Sequence, residues 1–174
     1  EEALKDGYDG YVAATPAKTH FQIGSMLLKH GRNVLIEKPM ALCSEDSLEL
    51  VKLSKKTGSK LMTGHLLLFH PAIEKMKEII DTGRIGKLWY LYSNRLNMGK
   101  IRTDEDVFWS LAPHDVYLLN FLTGSSPVFI NASGGHFLQD GIYDMIKADF
   151  IYPGKIKAHI FVSWLNPFKE HRLV

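Results

Sequence analysis

Charged side chains directly follow a short apolar run, where they could take part in catalysis. Glu37, Lys38 and Pro39 continue the run at residues 34–36. A lysine at the end of a buried strand can donate to a ribose or substrate hydroxyl and stabilise negative charge that develops on oxygen. A solvated strand end closed by an ion pair is the structural alternative, and the spacing alone leaves both interpretations open.

Polar residues also follow two other strand-like runs. Open α/β sheets bind ligands at the carboxyl ends of their strands, so side chains at such positions are candidates for a binding site. The structural alternative is a helix cap followed by surface histidines. The candidates are Thr15, Pro16, His20 and His65.

One histidine at a predicted helix start is a candidate general base. His114 follows Pro113, a residue that favours the first helical position. The positive end of a helix dipole disfavours the imidazolium, and a general base must be neutral before it accepts a proton. A structural role at the helix start is the alternative. We predict no metal site, because no two of His65, His70 and His114 have the i, i+4 spacing on one helix.

Three cations and two amides lie within nine residues after a strand-like segment. Such a cluster suits an anionic or hydroxylated ligand, because arginine can hold a carboxylate with two parallel hydrogen bonds. We therefore predict substrate binding by Arg95, Asn97 and Arg102. A solvated loop is the alternative interpretation. The whole cluster is Asn94, Arg95, Asn97, Lys100 and Arg102.

The elements around these candidates follow two patterns. Up to about residue 86, short apolar runs alternate with amphipathic helical segments, which is typical of βαβ units on a parallel sheet. Later strands, such as the one at residues 156–164, have one apolar face, which a helix or another subunit must cover. We therefore predict an α/β fold, with a parallel sheet before a domain boundary at roughly residues 83 to 87 and an antiparallel sheet after it.

Composition excludes several functional classes. Lys and Arg number 21 against 19 Asp and Glu, a formal net charge of +2, so the chain lacks the positive charge that nucleic-acid binding requires. The single cysteine, Cys43, cannot form an internal disulfide, and we find no long apolar run or signal-peptide pattern. We expect a cytoplasmic protein that binds no membrane. Because the sequence begins at Glu1 without a methionine, we also expect a piece of a longer protein.

Taken in order, the motifs resemble the Gfo/Idh/MocA family of NAD(P)-dependent sugar oxidoreductases. Segments 95–102, 109–115 and 162–169 are similar to the branch that oxidises C3 of UDP-N-acetylglucosaminuronic acid. The family motifs are Ala14-Thr15-Pro16, His20, Val34-Leu35-Ile36-Glu37-Lys38-Pro39, Gly64-His65, Phe69-His70-Pro71, Gly83-x-x-Gly86 and Ala112-Pro113-His114-Asp115.

The resemblance implies a two-domain dehydrogenase that moves a hydride from a sugar carbon to NAD or NADP. Residues 1–86 would be part of its Rossmann-type domain, and residues 87–174 would be part of an α+β domain with an open antiparallel sheet. Glu37 and Lys38 then meet the nicotinamide ribose, while Lys38 and His114 face the reacting carbon, with His114 as base. The resemblance places the glycine-rich fingerprint outside these 174 residues, which we expect to be inactive alone. It also implies a homodimer or homotetramer that packs through the antiparallel sheet. The other residues implied to border the cofactor are Thr15, Pro16, His20 and His65.

The sequence departs from the family pattern at one position. Ser110 stands four residues before His114, where many members have an aspartate. A hydroxyl can orient the imidazole or pass a proton, but it cannot offset an imidazolium charge. The alternative function is therefore a non-catalytic paralogue that binds sugar nucleotides or serves as an interaction subunit. The presence of both Lys38 and His114 favours the enzyme.

Overall fold

The computed structural model describes residues 7–103 and 105–174, and the chain divides into two compact units, Glu1–His65 and Leu66–Val174. Residues 66–86, which we predicted to belong to the Rossmann-type domain, lie in the second unit. Their helix packs its apolar side, including Met76 and Ile80, against the core of that unit. The compact units therefore divide before this helix rather than after it.

The first unit is a three-stranded parallel sheet with two helices. The strand order is β1-β2-β3, and both neighbouring pairs are parallel. This arrangement confirms the predicted Rossmann-type βαβ pattern. The elements are β1 (Tyr11–Ala13), α1 (His20–Lys29), β2 (Val34–Ile36), α2 (Ser44–Thr57) and β3 (Leu61–Thr63).

One glycine lies where α1 packs closely on the sheet. A Cβ atom at Gly24 would lie 2.6 Å from Cδ1 of Ile36, closer than a real Cβ atom approaches, and a tight 3.1 Å from Cδ2 of Leu50. Gly24 therefore lets α1 approach β2 and α2 closely enough to bury this core. The buried core consists of Ala13, Leu27, Leu28, Val34, Ile36 and Leu50.

The second unit contains a five-stranded sheet in the order β5-β6-β7-β4-β8. We predicted an antiparallel sheet, but β4 and β7 are parallel, so the sheet is mixed. Two helices and a hairpin separate β4 from β7 along the chain, and a crossover of that length permits parallel neighbours. The elements are α3 (Pro71–Asp81), β4 (Tyr90–Leu96), α4 (Val107–Leu111), α5 (Pro113–Thr123), β5 (Phe129–Gly135), β6 (Met145–Ile151), β7 (Lys157–Ser163) and β8 (Glu170–Leu173).

The apolar face of β7 is buried, as its alternating pattern predicts. Ala158, Ile160 and Val162 lie in the core of the second unit, where they join Val107 of α4 and Leu119 of α5. Helices of the same unit therefore cover this face. Of the two coverings that the sequence left open, a helix or another subunit, the structure shows the helix. Among the described residues, no helix is long and apolar enough to cross a membrane.

A buried carboxylate joins the segment after β5 to the end of β7. Asp144 accepts hydrogen bonds from the N–H groups of Phe137 and Leu138 and from Nε1 of Trp164, the last at 2.6 Å. Burial alone would raise the pKa of Asp144, but these donors hold its pKa below the usual range. Ionised Asp144 therefore connects two separate segments of the second unit.

Replacing Asp144 by alanine should destabilise the second unit. The change leaves three donors without their acceptor, so we expect the free energy of unfolding to fall by about 2 to 4 kcal/mol. Since the folded pKa is depressed, the stabilisation is present above the unfolded pKa and is lost as pH falls through the folded value. Urea unfolding of the full-length protein at neutral and acidic pH measures both effects.

The matched control is Asp149→Ala, because Asp149 forms an exposed ion pair with Lys147 on β6. We expect that variant to change stability by less than about 1 kcal/mol. Equal losses in the two variants would contradict the role of Asp144.

Candidate functional site

The three parallel strands bring several predicted cofactor residues to one edge. The last residues of β1, β2 and β3 are register partners. Thr15, Lys38 and His65 each follow one of these last residues by two positions. Since parallel strands point the same way, all three residues leave the sheet at its carboxyl edge, where such sheets bind ligands.

Glu37 organises the turn that carries Lys38. Its backbone N–H donates to the carbonyl of Ala13 at 3.0 Å, which extends the pairing of β1 and β2 by one residue. Its carboxylate accepts from the backbone N–H of Lys38 at 3.2 Å. A Cβ at Gly64 would lie 3.0 Å from Oε2 of Glu37, so the glycine leaves room for this carboxylate beside β3. Glu37 thus supports the half-buried Lys38 from the preceding position.

His20 lies in the interior rather than at the surface. It is 1% exposed, with Nδ1 2.7 Å from the carbonyl oxygen of Pro39 and Nε2 2.7 Å from that of Thr15. A neutral imidazole donates to one of these carbonyls, whereas an imidazolium donates to both. Both ring nitrogens face backbone carbonyls, and the implied position of His20 at the border of the dinucleotide stays a prediction. His20 connects the turn after β1 to the turn after β2.

The remaining predicted cofactor residues are more accessible. Thr15 and Pro16 are exposed, and the hydroxyl of Thr15 lies 2.7 Å from that of Thr19. His65 is half-buried, and burial lowers the pKa of its imidazole, so the neutral ring predominates at pH 7. A neutral imidazole carries one donor and one acceptor, both suited to a hydroxylated ligand. These positions fit a dinucleotide that borders the carboxyl edge of the sheet.

His114 occupies the second position of α5, which begins at Pro113 as predicted. The side chain is half-buried. Ala112 is both the last cap of α4 and the first cap of α5, so the two helices meet directly before the histidine. Ser110 lies in α4, and its backbone N–H donates to the carbonyl of Asp106. The structure thus places the imidazole at a helix N-terminus, and its role as base stays a prediction.

Arg95 is held by a carboxylate of its own chain. Its Nε lies 2.7 Å from Oδ2 of Asp115, and its Nη2 lies 3.0 Å from Oδ1, so the pair is bidentate. The hydroxyl of Ser93 donates to Oδ1 of the same carboxylate at 2.8 Å. We predicted that Arg95 binds substrate, and the structure directs two of its guanidinium donors at Asp115. Its alternating position on β4 explains this, because Leu91, Ser93 and Arg95 share one side of the strand.

The other two predicted substrate residues lie in the segment after β4. Asn97 donates its backbone N–H to the carbonyl of Ser163 and so continues the pairing of β4 with β7. The side chain of Arg102 is 44% exposed, with Nε 3.7 Å from a carboxylate oxygen of Glu105. Arg102 and the exposed Lys100 are therefore the accessible cations of the predicted cluster.

Among residues 7–103 and 105–174, no group of three His, Cys, Asp or Glu side chains could hold a metal ion. Glu37 and His20 instead form hydrogen bonds with backbone atoms, and Asp115 forms an ion pair with a cation.

Replacing His20 by alanine should loosen the turns that carry Thr15 and Lys38. Loss of the bonds to two carbonyls should speed amide exchange at Glu37 and Lys38 by about 10- to 100-fold, the equivalent of one or two hydrogen bonds. Hydrogen-exchange mass spectrometry of the full-length protein measures this. His30→Ala, an exposed position just after the same helix, is the control and should leave these amides unchanged. The same exchange rates in both variants would show that His20 does not hold the two turns.

Two family models together cover nearly the whole chain. Residues 1–65 match the model described as an oxidoreductase family with an NAD-binding Rossmann fold. Residues 73–174 match the model of the GFO/IDH/MocA C-terminal domain. The two matches meet close to the division between the compact units.

Curated relatives act on different polyhydroxy compounds. UDP-N-acetylglucosamine 3-dehydrogenase of Acidithiobacillus ferrooxidans is 34% identical over 76% of this chain and 42% of its own length. Inositol 2-dehydrogenase 2 of Saccharopolyspora erythraea is 31% identical over 71% of this chain and 38% of its own length. The chain therefore spans less than half the length of these relatives.

A solved structure of the Acidithiobacillus ferrooxidans enzyme is similar over almost the entire chain. It superposes with a TM-score of 0.85 at 30% sequence identity, covering 99% of this chain and 54% of that structure. The similarity includes both compact units.

Proposed function

The chain belongs to the GFO/IDH/MocA family of oxidoreductases, and from this premise we propose that the whole protein is an NAD(P)-dependent dehydrogenase of a sugar. The observation that carries the proposal is the common edge at which Thr15, Lys38 and His65 leave the parallel sheet. The exposed Thr15 and the neutral His65 suit the hydroxyls of a dinucleotide. When bound, the nicotinamide accepts the hydride that leaves the sugar carbon.

Lys38 and His114 have separate roles in this proposal. The Lys38 ammonium donates to the substrate oxygen and stabilises the negative charge that develops as the O–H bond breaks. His114 accepts the proton of that hydroxyl, and the helix N-terminus favours the neutral ring that this step requires. Glu37 supports the turn of Lys38 through the backbone bond described above. The products are a ketone, a reduced cofactor and a protonated His114.

We further propose a nucleotide-linked amino sugar as the substrate, with UDP-N-acetylglucosaminuronic acid as the specific candidate. The relative at 34% identity is a UDP-N-acetylglucosamine 3-dehydrogenase, which supports the nucleotide-linked amino sugar. The accessible Lys100 and Arg102 support a substrate with a carboxylate or diphosphate. Because Arg95 is paired with Asp115, two cations instead of three support a substrate that carries a carboxylate. An inositol is the competing substrate, because another relative is an inositol dehydrogenase.

We also propose that the whole protein is a cytoplasmic homo-oligomer. The helices cover one face of the mixed sheet, whereas exposed aromatic and aliphatic residues lie along other parts of its strands, including Tyr90, Phe129 and Ile151. Exposed apolar surface on a sheet is typical of an interface. This proposal therefore places the subunit contact away from the apolar face of β7 that the helices bury.

Single substitutions in the full-length protein test the catalytic roles. Lys38→Ala should lower kcat by about 100-fold or more, because it removes one transition-state donor. His114→Ala should lower kcat by about 100- to 10,000-fold through loss of the general base. Binding of NADH, measured by fluorescence titration, should persist in both variants. The control Lys55→Ala alters an exposed lysine of α2 and should keep normal turnover. Normal turnover after either site substitution would overturn the role proposed for that residue, whereas no turnover by the unmodified full-length protein would favour the non-catalytic paralogue.

A comparison of substrates tests the sugar assignment. Reduction of NAD or NADP is followed with UDP-N-acetylglucosaminuronic acid, UDP-N-acetylglucosamine and myo-inositol. We expect kcat/KM to be about 10- to 100-fold higher for the uronate than for the neutral nucleotide sugar, the value of one charge-assisted hydrogen bond. Arg102→Ala should remove most of that preference. Equal activity on both nucleotide sugars excludes recognition of the carboxylate, and activity on inositol alone excludes the nucleotide.

A further inference from the structure

A buried ion pair connects the central part of β4 to the first turn of α5. Asp115 is 1% exposed, and it receives two bonds from Arg95 and one from Ser93. The Arg95 side chain is only 16% exposed. Both oxygens of the carboxylate therefore have charged or hydroxyl donors in the protein interior.

The position of this pair along the chain links it to His114. Asp115 directly follows His114, and both lie in the first turn of α5. Successive helical residues are about 100° apart around the helix axis, so the direction of one side chain determines the direction of the next. Fixing the Asp115 side chain therefore fixes the rotation of the turn from which the His114 imidazole projects.

The strand end of the pair is a rigid anchor. β4 is hydrogen-bonded to β7 on one side and to β8 on the other. Arg95 is the register partner of Val162 on β7 and of His171 on β8, so its backbone is held from both sides. The guanidinium reaches from this anchor with a planar pair of donors, which restricts the carboxylate to one orientation.

Stability alone is a weak reason for such a pair. Removing two charges from water costs about as much free energy as their attraction returns. A protein with apolar side chains of similar volume in place of the pair is often as stable. What the bidentate pair adds to packing is a directional contact that holds one orientation of the Asp115 carboxylate against β4. A fixed orientation matters where a general base must point at one proton.

We propose that Arg95 and Asp115 are positioning residues for His114. Arg95 holds the Asp115 carboxylate, Ser93 supplies the third bond, and the fixed first turn of α5 directs the imidazole. The inference rests on the proposed role of His114 as base, and it assigns Arg95 to orientation rather than to recognition of a substrate carboxylate.

Steady-state kinetics of the full-length protein separates orientation from recognition. Arg95→Lys and Asp115→Asn should each lower kcat by about 10- to 100-fold, the scale of a small misplacement of a catalytic group. The loss should be equal for UDP-N-acetylglucosaminuronic acid and UDP-N-acetylglucosamine, with KM changed less than about threefold. A higher KM for the uronate alone, at normal kcat, would identify Arg95 as a substrate ligand and overturn the inference.

The double variant tests whether the two residues act together. If Arg95 and Asp115 orient His114 through one pair, Arg95→Lys combined with Asp115→Asn should cost no more than the larger single loss. Fully additive losses would contradict a common action. The control is Arg172→Lys on β8, because this arginine is 58% exposed and its Nε lies 3.5 Å from a carboxylate oxygen of Glu170. Its kinetics should equal those of the unmodified protein.

The NMR signals of the His114 ring test the inference without a measurement of turnover. In the full-length protein, the ring signals of His114 are assigned by their loss in His114→Gln. Asp115→Asn should shift those signals, and Arg172→Lys should not. Unchanged His114 signals in Asp115→Asn overturn the inference. By contrast, normal turnover of His114→Gln overturns the proposed role of His114 as base. The His114 signals of the unmodified protein and of Asp115→Asn still show whether Asp115 orients the ring.

Discussion

A buried polar side chain must find hydrogen-bond partners, and this requirement determines how the loops of both units are held. His20, Asp115 and Asp144 are each almost completely buried, and each bonds to atoms far away in the sequence. His20 joins two turns of the first unit, Asp115 joins a helix to a strand, and Asp144 joins two segments of the second unit. The apolar cores supply most of the burial, while these three groups determine where particular turns lie.

The first unit shows how one such group supports a site that strand register has already created. Parallel pairing brings the turns after β1, β2 and β3 to the same edge, but pairing ends where the strands end. Beyond that point, Glu37 bonds to the N–H of Lys38, and His20 lies against the carbonyls of Thr15 and Pro39. The turns that carry Thr15 and Lys38 are thus held in place by His20 and Glu37.

Local patterns predicted much of this architecture. Apolar periodicity and the capping residues located the βαβ unit and the start of α5 at Pro113, because these features depend on nearby residues. The parallel pairing of β4 with β7 was not predicted, since strand direction depends on the route of a long connection rather than on the strand itself. The positions of His20 and Arg95 were also not predicted, because their partners are distant in the sequence. One signal was available for Arg95: it shares the inner side of β4 with the apolar Leu91, which indicates an internal partner.

Burial and strand side divide the cations in the segment around β4 into two groups. Sequence alone groups Arg95, Lys100 and Arg102 as three equivalent cations, whereas the fold separates them by strand side and burial. Arg95 lies on the inner side of a strand and neutralises Asp115, so its charge serves the interior of the second unit. Lys100 and Arg102 follow the strand and keep exposed side chains, so only their charge is available to attract a substrate anion from solution. We therefore propose that recognition of an anion and orientation of the base belong to different residues of the same short segment.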